Sequence, residues 1–184
     1  YDVKLGKRFP IRDIEFVLPS KGPFSEAFIR DTANMTLKPG DWLSESSLDA
    51  ETVRSSAVLR NQGFYNFNKN YYFFEADTLS IPDSAILQLT INEYTRNESP
   101  RDAKPIRKFY IDDVNISYPK SLKFRDKVLR ELTTIYPGQV YSADEISKTY
   151  SRLSALKVFS SVNIGMNQTD TNLVDCSISL AQSK

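Results

Sequence analysis

The chain has 184 residues, 40% of them hydrophobic, with 24 Lys+Arg against 23 Asp+Glu and no histidine. That length suits one medium domain or two small ones, and the near-zero net charge of +1 gives no whole-chain attraction to nucleic acid or acidic lipid. Without histidine there is no Ser-His-Asp or Cys-His catalysis and no His-ligated metal site, and the single Cys176 rules out an internal disulfide.

In chain order, Tyr1, Val3 and Leu5 alternate with polar neighbours up to Gly6 and read as a short extended segment. No leader is visible, and the start reads as cut from something longer. Ile14, Phe16 and Leu18 then share one face of a strand that Pro19 and Ser20-Lys21-Gly22 terminate. Phe24, Phe28 and Ile29 recur at helical spacing behind Pro23, a residue suited to the first turn. Lys38-Pro39-Gly40-Asp41 is a turn, because Pro presets φ and Gly tolerates positive φ. Ser47 to Gln62 follows as a helix, with Leu48, Ala50 or Glu51, Val53, Ala57 and Val58 around its buried side, and Gly63 closes it. The aromatic runs Phe64-Tyr65 and Tyr71-Tyr72-Phe73-Phe74 read as strand, as do Leu87, Leu89 and Ile91 with their polar alternates.

Residues 95–107, TRNESPRDAKPIR, carry prolines and charges without an apolar period and form the best linker candidate. After it the same order starts again. IRDIEFVLP at 11–19 aligns without gaps to IDDVNISYP at 111–119, and both copies skip one residue in the alternation, with Asp13 and Asp113 in the gap. A bulge or bend accounts for that shared break. Pro39-Gly40 answers Pro137-Gly138, Leu59 to Tyr65 answers Leu153 to Phe159, and Leu87-Leu89-Ile91 answers Cys176-Ile178-Leu180. In the second copy Ser142 stands three residues before Glu145, the spacing of a capping box, and Ile146, Tyr150, Leu153 and Leu156 form the apolar stripe of a helix. Val162, Ile164 and Met166 then alternate with Asn163 and Gly165 as a strand.

The expected fold is therefore α+β: two tandem β-α-α-β-β units, each a three-stranded mixed sheet covered on one face by two helices. The expected boundaries are 1–95 for the first domain, 96–107 for a linker and 108–184 for the second domain. Cys176 falls on the apolar phase of the last strand and reads as a buried structural thiol.

This pattern resembles the POTRA domains of the BamA/TamA outer-membrane assembly superfamily. The residues that carry the resemblance are the Pro-Gly-x-Val-Tyr-Ser turn at 137–142, Leu153-x-x-Leu156-Lys157-Val158-Phe159-x-x-Val162, and the closing strand Val174 to Leu180. Gly63-Phe64-Tyr65 keeps the Gly-aromatic-aromatic ending common in that family, whereas the second unit has Lys157-Val158 there. The resemblance implies a non-enzymatic periplasmic module without cofactor or metal, tethered to the outer membrane of a Gram-negative bacterium through a C-terminal β-barrel of the same polypeptide. It also implies that the last strand of each unit is central and the middle strand an edge, open to β-augmentation by unfolded outer-membrane proteins or accessory lipoproteins. The edge residues are Tyr71, Tyr72, Phe73, Phe74 and Glu75 in the first unit, and Val162, Asn163, Ile164, Gly165 and Met166 in the second.

Four aromatics in a row cannot all point inward from one strand, so either the segment is not regular strand or the outer two are expected against the neighbouring unit, against the loop at 78–84, or against a client. Lys120, Lys123, Arg125, Lys127 and Arg130 make the third helix basic, read as a solvated face with lipid headgroups or an acidic partner as the sharper alternative. Asp112-Asp113 would face opposite ways on a strand and makes a poor metal site. Four Asn-x-Ser/Thr triplets are short enough to arise by chance and receive no role. The alternatives are an interaction module of a secretion or cell-division protein, or an α+β nucleic-acid binder, which lacks a basic-aromatic strand here. No Gly-rich phosphate loop or nucleophile elbow supports an enzyme.

Overall fold

The structure, a computed structural model, describes residues 7–119, 121 and 125–182. The extended segment expected at Tyr1 to Gly6, and the basic residues Lys120 and Lys123, lie outside the described residues. The first copy runs β1 (Ile11–Val17), α1 (Pro23–Asp31), α2 (Glu45–Asn61), β2 (Tyr72–Asp77) and β3 (Ala85–Ile91). The second runs β4 (Tyr110–Ser117), α3 (Asp126–Leu132), α4 (Ala143–Ala155), β5 (Phe159–Asp170) and β6 (Leu173–Gln182). The sheets have orders β1-β3-β2 and β4-β6-β5, with the outer first strand parallel and the outer middle strand antiparallel to the centre. This is the expected architecture, and the last strand of each copy is central.

The shared break in alternation is a register shift in both copies, between Ile11 and Asp13 and between Ile111 and Val114. The aspartate in each gap holds the distortion locally. Asp13 Oδ1 accepts the Ile14 N–H at 2.8 Å, and Asp113 Oδ1 accepts the Val114 N–H at 2.8 Å. Both Pro-Gly turns also dock on the first strand in the same way. Gly40 N–H reaches Ile11 O at 2.7 Å and Ile11 N–H reaches Asp41 O at 2.8 Å, and Gly138, Ile111 and Gln139 repeat those two bonds at 2.7 and 2.8 Å. Positive φ at Gly40 (98°) and Gly138 (82°) makes the turn possible.

The core of each unit lies between the sheet and its helices. Leu87, Leu89 and Ile91 of β3 and Val174, Cys176, Ile178 and Leu180 of β6 are all buried, on the phase the alternation predicts. Burial pushes the Cys176 thiol up to about 11, so it is a weak nucleophile as well as an inaccessible one.

Contacts divide the chain into two compact units, one through Leu59 together with Phe67–Ile106, the other Arg60–Asn66 with the chain from Arg107 on. Residues 60–66, placed by sequence in the first domain, thus cluster with the second unit. The segment read as a linker is also bonded into the first unit: Arg96 N–H reaches Asn70 O at 3.0 Å, Lys104 N–H reaches Glu93 O at 2.8 Å, and Ser99 and Asp102 cap a short 3-10 turn at Pro100–Asp102.

Several local expectations need correction. Phe64-Tyr65 is a turn segment, not strand, and Tyr71 belongs to a 3-10 turn at Lys69–Tyr71. Ile29 points outward, 61% exposed. The buried side of α2 is formed by Glu51, Thr52, Ser55, Ser56 and Leu59, while Ala50, Val53 and Ala57 are exposed. The reason is a buried charge cluster: Arg54 donates to both oxygens of Asp31 at 3.0 and 2.9 Å and to Glu51 at 3.1 and 2.6 Å. Thr36 adds its backbone N–H to Glu51 at 2.9 Å.

In α4 the inward position next to Tyr150 is Thr149, fully buried, whose hydroxyl accepts the Thr134 N–H at 2.9 Å. Tyr150 is half exposed. The stripe therefore keeps 146 and 153, with Thr149 in the place that hydrophobicity gives to Tyr150. The capping box also fails to form: Ser142 makes no side-chain cap bond, and Glu145 pairs with Lys148 at 2.6 Å.

Candidate protein-binding edges

In a β-strand the N–H and C=O of one residue point to the same side and those of the next residue to the other. The Tyr72 N–H bonds Lys69 O and its C=O accepts Arg96 Nε at 2.9 Å, so this residue turns its backbone away from β3. Phe74 and Ala76 share that outward phase. In β5 the Met166 C=O accepts the Tyr65 hydroxyl at 3.3 Å, which places Val162, Ile164 and Met166 on the outward phase. Asn163 and Gly165 direct their backbone to Ser179 and Ser177 of β6.

Side chains follow the complementary alternation. Val162 is buried, and Ile164 and Met166 lie against the core of their unit. Tyr72 is fully buried and Phe74 packs on the first unit's core. Burial also pushes the Tyr72 phenol up, so it stays neutral. Phe73 occupies the opposite sheet face, edge-on to Tyr94 at 5.7 Å, and Tyr71 stacks near Phe67 at 5.3 Å. Each outer aromatic thus has a ring partner within its own unit, Tyr94 for Phe73 and Phe67 for Tyr71. Glu75 is exposed at the edge.

The other edge of each sheet is different. The start of β1 and of β4 is bridged by the chain after the Pro-Gly turn, Pro10 to Trp42 and Tyr110 to Val140.

A groove flanks each of these strands. Beside β5 it measures about 370 Å³ and is lined by Ile146, Ser147, Tyr150 and Ser151 of α4 with Val162, Asn163 and Ile164. It contains no charged group. Beside β2 the groove is about 600 Å³ and includes Glu45, Asp49, Lys69, Glu75 and Arg96 around Leu48 and Phe74. Lys69 and Asp49 are 3.2 Å apart across it. Sequence reasoning missed Arg96, which caps the first outward carbonyl of β2, and Tyr150, which walls the β5 groove. A charged residue in an apparent linker carries no local signal for the first, and Tyr150 was read as core.

On the described part of the basic run, Lys127 and Glu131 of α3 are 3.9 Å apart. The Asp113 carboxylate is engaged by the Val114 N–H and, at 3.0 Å, by Asn115 Nδ2. Among the described residues no group of acidic or thiol side chains is disposed to hold a metal ion, and no helix is long and apolar enough to cross a membrane.

Residues 109–180 match the family model POTRA, described as surface antigen variable number repeat. No curated protein matches the chain in sequence. Among solved structures, BamA from Haemophilus ducreyi lacking POTRA domains 1–3 aligns over 95% of this chain and 30% of its own, with TM-score 0.69 and 13% identity. POTRA3–5 of Haemophilus influenzae BamA aligns over 95% of this chain and 61% of its own, with TM-score 0.59 and 15% identity. POTRA1–2 of the periplasmic domain of Omp85 from Anabaena covers 96% and 97% of the two chains, with TM-score 0.50 and 10% identity. The chain therefore spans less than two thirds of the two Haemophilus proteins it resembles, and at these identities the likeness is one of fold. The second unit thus matches the POTRA family model, and the repeated β-α-α-β-β order, the shared bulge and the likeness in fold to solved POTRA structures make the first unit similar to it.

Proposed function

We propose that the chain is a non-enzymatic periplasmic module, tethered to the outer membrane through a β-barrel of the same polypeptide, that captures extended segments of unfolded outer-membrane proteins or accessory subunits at β5. The observation that carries this reading is the outward backbone of Val162 and Ile164 beside an uncharged groove. An incoming strand gains backbone hydrogen bonds along that edge and places alternate side chains against Ile146, Tyr150 and Ile164. β5 has 12 residues against 6 in β2, so it offers about twice the length of ladder. At β2 the first outward carbonyl already bonds Arg96, and the charged groove there suits polar clients.

The POTRA match over residues 109–180 supports an interaction role, since such domains in Omp85-type proteins act through protein contacts. The test is Ile164→Pro. Its N–H lies on the outward phase, so proline removes a donor for the client without breaking a bond to β6. Affinity for an unfolded outer-membrane protein, measured by titration, is expected to fall at least tenfold while far-ultraviolet circular dichroism stays unchanged. Unaltered affinity in the folded variant would rule out pairing at β5.

A further inference from the structure

The segment that follows β3 wraps the start of β2. Asn92 N–H reaches Tyr71 O at 3.4 Å and Arg96 N–H reaches Asn70 O at 3.0 Å, both in the 3-10 turn that opens β2. The Tyr94 ring lies edge-on to Phe73 at 5.7 Å. The segment then closes on itself: Thr95 N–H donates to Glu98 Oε2 at 2.8 Å, Ser99 and Asp102 form a capping box, and Lys104 N–H returns to Glu93 O at 2.8 Å. Residues 92–104 are therefore a strap tied to the head of the strand by backbone bonds.

The strap carries a charged donor to the edge. Arg96 Nε donates to Tyr72 O at 2.9 Å, while the Tyr72 N–H is spent on Lys69 O. Both backbone groups of the first outward residue of β2 are thus engaged. Arg96 is exposed, so burial does not hold it there; its own N–H, bonded to Asn70, fixes the point from which the side chain reaches. A guanidinium N–H on a carbonyl is a charge-assisted bond, stronger than the neutral amide bond that a client strand would offer in exchange. Covering loops and charged side chains are the usual means by which a sheet edge is kept from pairing.

We propose that Arg96, carried by this strap, is a specificity-determining residue that closes the β2 edge to extended clients and leaves them β5. The inference rests on edge pairing as the mode of client binding, and adds which edge is excluded and by what. β2 has 6 residues, with Tyr72, Phe74 and Ala76 on its outward phase, and the first of these is taken before a client arrives. A ladder that must start at Phe74 has too few positions to offset the cost of ordering the client's own chain. With Arg96 withdrawn, the ladder extends to the Tyr72 carbonyl.

The test follows backbone amide resonances of the full chain by nuclear magnetic resonance during titration with a short blocked peptide that alternates valine with lysine and glutamate. In the parent protein, shifts are expected on β5 and not at Phe74, Glu75 or Ala76. Arg96→Met keeps the length of the side chain without its donor and is expected to add saturable shifts at those three residues. Apparent affinity there should rise at least about fivefold, the worth of one regained hydrogen bond. Lys69→Ala removes a cation from the same groove but no bond to Tyr72, and should leave β2 silent. Shifts at Phe74 to Ala76 in the parent, or none there in folded Arg96→Met, overturn the proposal. Equal shifts in Lys69→Ala also overturn it, because groove charge and not the spent carbonyl would then exclude the peptide. Shifts that appear on β2 only in Arg96→Met, with β5 silent in every protein, would uphold closure by Arg96 and defeat the reading of β5 as the client edge. Dispersion of the remaining amides shows that each variant is folded.

Discussion

Lys157 occupies the position that Gly63 holds in the other copy, and it pays for the sequence difference with its backbone. Its φ is 55°, in the left-handed region that a side chain adopts at a cost of about 1–2 kcal/mol, whereas Gly63 takes 107° freely. Lys157→Gly is expected to stabilise the second unit by about 0.5–1 kcal/mol, part of the relief being offset by the entropy of glycine in the unfolded chain. A urea midpoint that does not rise would show that the strain is compensated elsewhere.

At the same scale, Arg54 holds two carboxylates whose side chains are 3% and 1% exposed. Burial alone pushes the Glu51 carboxyl up, but hydrogen bonds from Arg54 and Thr36 outweigh it and hold the group below its ordinary range. A depressed folded pKa contributes stability above the unfolded value and loses it as pH falls through the folded one. Arg54→Met removes the counter-charge and is expected to cost about 3 kcal/mol near neutral pH. It also reverses the sign for Glu51, whose burial then favours the protonated form. The deficit relative to the parent protein should therefore shrink as pH falls from 7 to 4, measured by denaturant melts at each pH. A constant deficit would mean that Arg54 acts through packing alone.

At the scale of elements, the helices show how polar residues displace the expected faces. Hydrophobicity selects Val53 and Ala57 for the inward side of α2, yet Glu51, Thr52 and Ser55 are there because Arg54 and Thr36 satisfy the buried acid. The same holds in α4, where Thr149 replaces Tyr150 because Thr134 supplies its partner. Arg54 is one turn from Glu51, but Thr36 and Thr134 stand 15 residues from the side chains they satisfy, outside any helical window of local sequence. The N-terminus of α4 follows the same rule. Ser142 has the capping spacing, but the free N–H of Asp144 bonds Asn61, far back in the chain. Asn61→Ala should cost about 1 kcal/mol and speed amide exchange at residues 144–146 before elsewhere in the unit. Uniform acceleration across the unit would assign Asn61 to global stability instead.

At the scale of the whole molecule, an edge strand serves as a binding element only if its outward groups are free and its flank is accessible. Sheet order leaves two edges in each unit, and the Pro-Gly turn bridges the start of one of them in both. What distinguishes β5 from β2 is its length and an uncharged groove.

The order of elements, the tandem repeat, the shared bulge and the buried phase of β3 and β6 were determined by the sequence alone. Each depends on local periodicity, or on a short motif occurring twice, and a strand or turn expresses such patterns wherever it sits. The membership of residues 60–66 in the second unit, the charged interior of the first, and the edge left open were decided only by tertiary structure. These depend on pairs such as Tyr65 with Met166, Arg54 with Asp31 and Arg96 with Tyr72, whose partners are distant in the chain. A hydrogen bond that satisfies a buried or edge group leaves no period in the sequence, because only folding brings its two halves together.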